Sequence, residues 1–144
     1  MGAVQDLIKK LKAEAPKQEK AILDIVAENE TLMIDMNTGQ LMNGIDSEDG
    51  QLKAYTSESY ARMKASLNPK KVTDLNLHGD FHSSFVAKTD KWPILFGATD
   101  QKTDKLVTKY GANIFGLTEA NQARLANDYV KDDIIAYYRK VFQL

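Results

Sequence analysis

The segment DLNLHGDFHSSF, residues 74–85, constrains the fold of this chain more than any other stretch. Apolar residues alternate up to Leu77, as in a strand with one buried face, and a Gly-Asp pair at Gly79 then interrupts the pattern. Glycine tolerates the positive φ that many tight turns require, and the apolar residue after such a turn can enter the core. The pattern therefore predicts a structural corner that holds Phe81 and Phe85 inside the protein.

Two histidines, His78 and His82, flank the same turn with the spacing of a helical zinc pair. The Gly-Asp pair between them disfavours a regular helix, no third ligand is marked, and the glutamate of the metalloprotease motif is missing. The neighbouring serines, Ser83 and Ser84, lack the glycines of a nucleophile elbow. We therefore predict no catalytic residue, no metal ligand and no cofactor-binding residue at this corner.

An acidic turn at 46–50, with the sequence DSEDG, resembles a calcium loop only at first sight. With Gly50 at the sixth position of such a loop, the first position would be Ile45, which has no oxygen ligand to offer in its side chain. A solvated turn is the better interpretation. No glycine-rich phosphate loop is present elsewhere, so no cofactor is predicted.

Charge and composition limit the kinds of partner that we expect for this chain. The 144 residues include 19 basic and 20 acidic side chains, a net charge of −1, whereas nucleic acid or an anionic membrane usually selects a basic excess. Cysteine is absent, so disulfides and thiolate sites are excluded. No transmembrane run and no signal-peptide core is visible. We expect no nucleic acid as main partner, no membrane, and action in the cytoplasm or in whatever the chain is assembled into.

Apolar periodicity predicts one α+β domain over residues 1–144, with N-terminal helices, a small antiparallel sheet containing a hairpin, and C-terminal helices. Pro16 is expected to divide or kink the first helix. The predicted segments are a helical N-terminal part, a middle part mostly of strands with one helix, and a helical C-terminal part, spanning residues 1–30, 31–99 and 100–144.

The middle part carries two specific predictions. Alternating Leu32, Ile34 and Met36 before an Asn-Thr-Gly turn indicate a β-hairpin. A helix is expected after a cap at Thr56 or Ser57, with a buried stripe formed by Tyr60, Met63 and Leu67. Further along the chain, we expect Gly111 to end one helix and Thr118 to cap the next.

Three patterns of turns and apolar residues stand out when the chain is considered as a whole. The first is a helical N-terminal part followed by Gly-Ile-Asp and Asp-Gly within residues 44–50. The second is the turn motif of the corner, formed by Leu77, Gly79, Asp80, Phe81, Ser84 and Phe85. The third is a helix-start motif, formed by Phe115, Gly116, Leu117 and Thr118.

Together these patterns, which cover about residues 40–125, resemble those of the phage virion-morphogenesis family, also called tail-completion or neck proteins. His78 stands where the family more often has threonine, and the family's Arg-Pro before the helix start is replaced by GANI. The resemblance implies a non-catalytic virion protein of the head–tail connector or tail-completion ring, assembled in the host cytoplasm. It also implies a homo-oligomeric ring in contact with neighbouring connector, tail-tube or portal proteins.

The ring contacts are expected on the exposed side of the N-terminal helices and on the loops at 46–53 and 87–93, with Leu52, Tyr55 and Trp92 as apolar members. Two other classes of protein stay open. One is a small regulatory or inhibitor protein of phage or host, and the other is a small virion-associated hydrolase.

Overall fold

The computed structural model of the protein describes residues 2–67, 72–76 and 79–143. Leu77 and His78, which belong to the corner, lie outside these described residues. In chain order the elements are α1 Gly2–Ala27, α2 Glu30–Met42, α3 Glu58–Leu67, α4 Asp80–Ser83, β1 Phe85–Lys88, β2 Leu95–Ala98, α5 Thr103–Tyr110, α6 Glu119–Arg124 and α7 Lys131–Phe142. A 3₁₀ turn, Ala112–Ile114, precedes α6, and a π-helical segment, Leu125–Val130, joins α6 to α7.

The predicted α+β class is confirmed. Helices dominate, and β1 and β2 form a two-stranded antiparallel sheet in which Phe85 pairs with Ala98 and Lys88 with Leu95. Within the described part of the chain, no helix combines the length and the apolar character needed to cross a membrane.

The first helix is longer than predicted. It runs from residue 2 to residue 27, and position 16 lies within it, so Pro16 does not divide the segment into two helices. The stripe of its second half packs on the core, where Val26 is buried and Ile22 and Ile25 are partly buried.

The predicted hairpin after residue 31 is wrong, because this segment is the helix α2. Its buried positions are spaced at i, i+3, i+4, i+7 and i+8, which is the period of a helix, and they are Met33, Met36, Asn37, Gln40 and Leu41. The Asn-Thr-Gly sequence at 37–39, which favoured a turn, lies inside this helix. The helix ends before Gly44, whose φ is +73°.

The prediction that residues 31–99 are mostly strands is therefore also wrong. Within the described part of this range, three helices stand beside the two short strands, and residues 72–76 are irregular rather than extended in a sheet. The predicted stripe of α3 is likewise incorrect, since Met63 and Leu67 are 42% and 59% exposed. The buried residue of that helix is a lysine, Lys64.

The C-terminal part is helical, as predicted. Gly111 has a φ of +91° and ends α5, and the hydroxyl of Thr118 accepts a hydrogen bond from the amide of Asn121, which confirms the predicted cap. The chain then stays helical from α6 through the π-helical segment into α7.

Two apolar clusters form the core. The first joins α1 and α2 to the C-terminal helical region, and its buried members are Val26, Met33, Met36, Leu117 and Val130. The second lies around the corner, and its buried members are Leu41, Leu52, Phe81, Phe85 and Ile114. α2 contributes buried residues to both clusters and so connects them.

Candidate functional site

The corner is built as a left-handed glycine followed by one turn of helix. Gly79 has a φ of +82° and precedes α4, which directs Phe81 into the core. Phe81 and Phe85 are 3% and 5% exposed, which confirms their predicted burial. The Ser84 hydroxyl donates to the Phe81 carbonyl at 2.8 Å and accepts from the Asp100 amide at 3.1 Å, so it joins the turn to the loop after β2.

The helix-start motif lies against the corner. The ring of Phe115 is 6.2 Å from that of Phe81 and 5.3 Å from that of Phe85, measured between centroids. Gly116 has a φ of +114°, and a Cβ atom there would lie 3.3 Å from the Cβ of Ser47. The structure thus brings the two motifs together around one aromatic cluster.

Two buried amides of α2 hold the helix-start motif, and sequence reasoning missed both. Asn37 donates to the Ile114 carbonyl and accepts from the Gly116 amide, each at 2.9 Å. Gln40 donates to the Gly116 carbonyl and accepts from the Thr118 amide, also at 2.9 Å. The two side chains pair with one edge of the segment 114–118 as a neighbouring strand would. Their i, i+3 spacing on a helix was the signal that could have revealed them.

A second missed feature is a buried ion pair beside the corner. The Lys64 ammonium lies 2.7 Å from an Asp74 carboxylate oxygen, and the two side chains are 2% and 3% exposed. Lys64 also donates to the Asn76 carbonyl, and the same carboxylate oxygen accepts from the Asn76 amide at 2.9 Å. Both side chains are buried, and both have hydrogen-bond partners within the protein. The ion pair is therefore a structural link between α3 and residues 72–76.

Two titratable rings border this ion pair. His82 Nε2 lies 2.7 Å from the Asp74 carbonyl oxygen, and burial lowers the pKa of His82 although that contact opposes the shift. The Tyr55 hydroxyl lies 3.4 Å from the Asp74 carboxylate, and burial raises the pKa of Tyr55 to about 12. At neutral pH both rings are therefore uncharged, and both form hydrogen bonds with Asp74, the acidic member of the ion pair.

The residues considered for hydrolysis or for binding a metal have structural roles in the fold. Ser83 donates to the Asp80 carbonyl and Ser84 to that of Phe81, so both hydroxyls are bonded to backbone. Within the described part of the chain, no group of three His, Asp or Glu residues could hold a metal ion. In the acidic turn, the Asp46 carboxylate accepts from the amides of Glu48 and Gly50, which confirms the predicted turn.

The surface offers a different kind of site, an apolar groove of about 590 Å³. Its walls come from the C-terminal end of α1, α2, the acidic turn, the loop before β2 and the C-terminal helical region. Trp92 lines it and is 42% exposed. Leu52, by contrast, is 7% exposed and belongs to the core, so its assignment to a contact surface is wrong.

The first half of α1 carries a second apolar surface, which we call the N-terminal stripe. It consists of Val4, Leu7, Ile8 and Leu11, which are 63%, 45%, 45% and 43% exposed. Four aliphatic side chains on one helix face, with this much area left in water, form a surface suited to binding another protein.

Comparisons with protein-family models, curated proteins and solved structures find no match for this chain.

Proposed function

We propose that this chain is a structural protein of a phage virion, a component of the head–tail connector or of the tail-completion ring. It works in the particle, which is assembled in the host cytoplasm, and it binds copies of itself together with neighbouring connector, tail-tube or portal proteins. Its role is mechanical rather than catalytic.

The observation that carries this proposal is the exposed N-terminal stripe. A chain that acts alone would leave Val4, Leu7, Ile8 and Leu11 in water at a cost of solubility, whereas an assembly protein buries such a face against its neighbour. The near-balance of charge, 19 basic against 20 acidic residues, also lets many copies approach without strong repulsion. The turn and helix-start motifs resemble those of virion-morphogenesis proteins, which adds support from an independent direction.

Deletion of the gene from its phage, followed by electron microscopy of the particles, tests the proposal. We expect filled heads and tails that fail to join, or tails with defective ends, and restoration by the gene supplied in trans. Normal infectious virions made without the protein would overturn the proposal and favour a regulatory protein or a hydrolase.

A further inference from the structure

The N-terminal stripe repeats the part of α1 that enters the core. Val4, Leu7 and Ile8 precede Ile22, Ile25 and Val26 by 18 residues each, which is about five complete helical turns. The two sets therefore point to the same side of one continuous helix. The later set packs on the first core cluster, whereas the earlier set is exposed. The chain thus carries two copies of one aliphatic surface and covers only one of them.

The first half of α1 cannot reach the groove of the same molecule. Val26 lines that groove, and at 1.5 Å per residue Ile8 lies about 27 Å away along the axis of α1. The helix is continuous between them, so no turn exists that could fold one half back on the other. A groove-bound N-terminal stripe must therefore come from another molecule.

The groove matches the stripe in apolar character. Ile94, Phe96 and Leu125 line it and also pack against the first core cluster, which is where Ile22, Ile25 and Val26 lie. Its volume of about 590 Å³ lies within the range of cavities that bind ligands. An aliphatic helix face bound in the groove would contact the same residues that pack beside the isoleucines and the valine in the second half of α1.

The charges of the two surfaces are complementary. Glu48 and Glu119 are the only charged residues among the described residues that line the groove. On α1, Lys10 and Lys12 lie about 100° to either side of the centre of the N-terminal stripe, so each borders the apolar face. Over residues 4–12, lysines therefore border both edges of the apolar face, whereas Glu14, on the side of Lys10, accepts a hydrogen bond from Tyr137 within the chain. Opposite charges at the rim of the acidic-edged groove favour this helix over other partners.

We infer that the N-terminal stripe of one copy of this chain docks into the groove of a second copy. The inference rests on the proposed function, for which it supplies the contact between subunits. The contact joins two different surfaces, so it is heterologous, and its repetition gives a ring when the rotation closes. Lys10 and Lys12 of one copy then lie near Glu48 and Glu119 of the next.

Cysteine crosslinking in the otherwise cysteine-free chain tests this contact. A tagged Leu7→Cys protein is mixed with an untagged Ala126→Cys protein, since Leu7 lies in the stripe and the exposed Ala126 lines the groove, and a short bismaleimide is added. We expect a heterodimer band that the matched pair of Leu7→Cys with Leu67→Cys lacks, because Leu67 is exposed on α3, away from the groove. Equal yields from the two pairs, at millimolar protein, would overturn the inference.

Charge reversal provides a second measurement on the same crosslinked pair. Lys10→Glu with Lys12→Glu in the stripe protein, or Glu48→Lys with Glu119→Lys in the groove protein, should each lower the yield about tenfold. The two reversed proteins mixed together should recover it, and Lys105→Glu, an exposed change on α5, should have no effect. A yield that ignores all of these changes, with circular dichroism unchanged, contradicts a rim of opposite charges and the docking pose.

The outcomes separate this inference from the function on which it rests. Defective particles on gene deletion, together with no specific crosslink, would leave the virion role standing and remove the contact. A specific crosslink together with normal particles would do the reverse. In particles, crosslinking of Leu7→Cys only to other virion proteins would overturn a second copy as the occupant.

Discussion

Single residues form the corner in two ways: a glycine provides the backbone conformation, and two phenylalanines provide the buried side chains. Gly79 supplies a positive φ, and Phe81 and Phe85 then fill the core, with ring centroids 5.0 Å apart in an edge-to-face arrangement. Such a pair contributes beyond the area that it buries. His82, between them in sequence, faces the Asp74 carbonyl instead and joins the corner to the buried ion pair.

Replacement of Gly79 tests the backbone contribution. Gly79→Val should lower the free energy of unfolding by about 1–3 kcal/mol, because a β-branched residue is strained at a φ of +82°. The nearest atom to a new Cβ is 3.9 Å away, so the loss would come from the backbone and not from a clash. Urea denaturation measures it, with Gly39→Ala, inside α2, as a control that should be neutral or stabilising. An unchanged Gly79→Val protein would contradict the assignment.

Titration of His82 should make stability fall in mild acid. Burial holds its folded pKa below the ordinary value of 6.5, so the unfolded chain binds the proton first. The stabilisation is fully present above pH 6.5 and is lost as the pH falls from there towards the lowered folded pKa. Urea midpoints between pH 7.5 and 5 measure the slope, which His82→Gln should reduce. If His78→Gln removes the slope and His82→Gln keeps it, the assignment is wrong.

At the scale of elements, α2 determines how the two halves of the chain meet. It contributes apolar side chains to both core clusters and presents Asn37 and Gln40 to the segment 114–118. That segment has a left-handed glycine and begins the C-terminal helical region, so its position sets where α6 starts. Side-chain amides of α2 thus satisfy backbone groups of this segment that no strand pairs with.

Removal of one amide should destabilise the protein strongly. Asn37→Leu keeps the approximate volume of the side chain but leaves the Ile114 carbonyl and the Gly116 amide without their partner. We expect a loss of about 2–4 kcal/mol in the free energy of unfolding, since each unpaired buried group costs about 1–3 kcal/mol. Thr38→Ala, one residue along the same helix and bonded only within it, should change stability by less than about 0.5 kcal/mol. Similar values for the two variants would contradict the role of Asn37.

At the scale of the whole molecule, the core occupies the region around α2 and the C-terminal helical region, and the first half of α1 extends beyond it. Glu14, near the middle of α1, accepts a hydrogen bond from the Tyr137 hydroxyl of α7 at 3.0 Å. Before that point the aliphatic residues of α1 are exposed, and after it they are buried or partly buried. The molecule therefore combines a folded body with an aliphatic surface, on the first half of α1, that its own fold leaves exposed.

Two leucines of α1 should show this separation. Leu23 is 6% exposed and Leu7 is 45% exposed. Leu23→Ala should cost about 2–5 kcal/mol in the free energy of unfolding, as for other buried leucines, whereas Leu7→Ala should cost less than about 0.5 kcal/mol. Thermal or urea unfolding of dilute, monomeric protein measures both. A Leu7→Ala loss as large as that of Leu23→Ala would place Leu7 in the core and remove the basis for the stripe.

Turns and helix ends were predictable from the sequence because their causes lie within a few residues. Gly79 and Gly111 adopt positive φ values, Thr118 caps α6 with its own hydroxyl, and Asp46 closes its turn through amides two and four residues ahead. Burial of Phe81 and Phe85 followed from their places beside such a turn.

The tertiary structure alone decided which faces are buried and which segment of the middle part is helical. In the helix of residues 30–42, Asn37 and Gln40 can be buried because their amides find backbone partners 76 to 79 residues away. Lys64 is buried because Asp74 neutralises it, although its residue type favours the surface. Short-range patterns hold no record of such distant partners, so a buried polar residue looks like an interruption until the chain has folded around it.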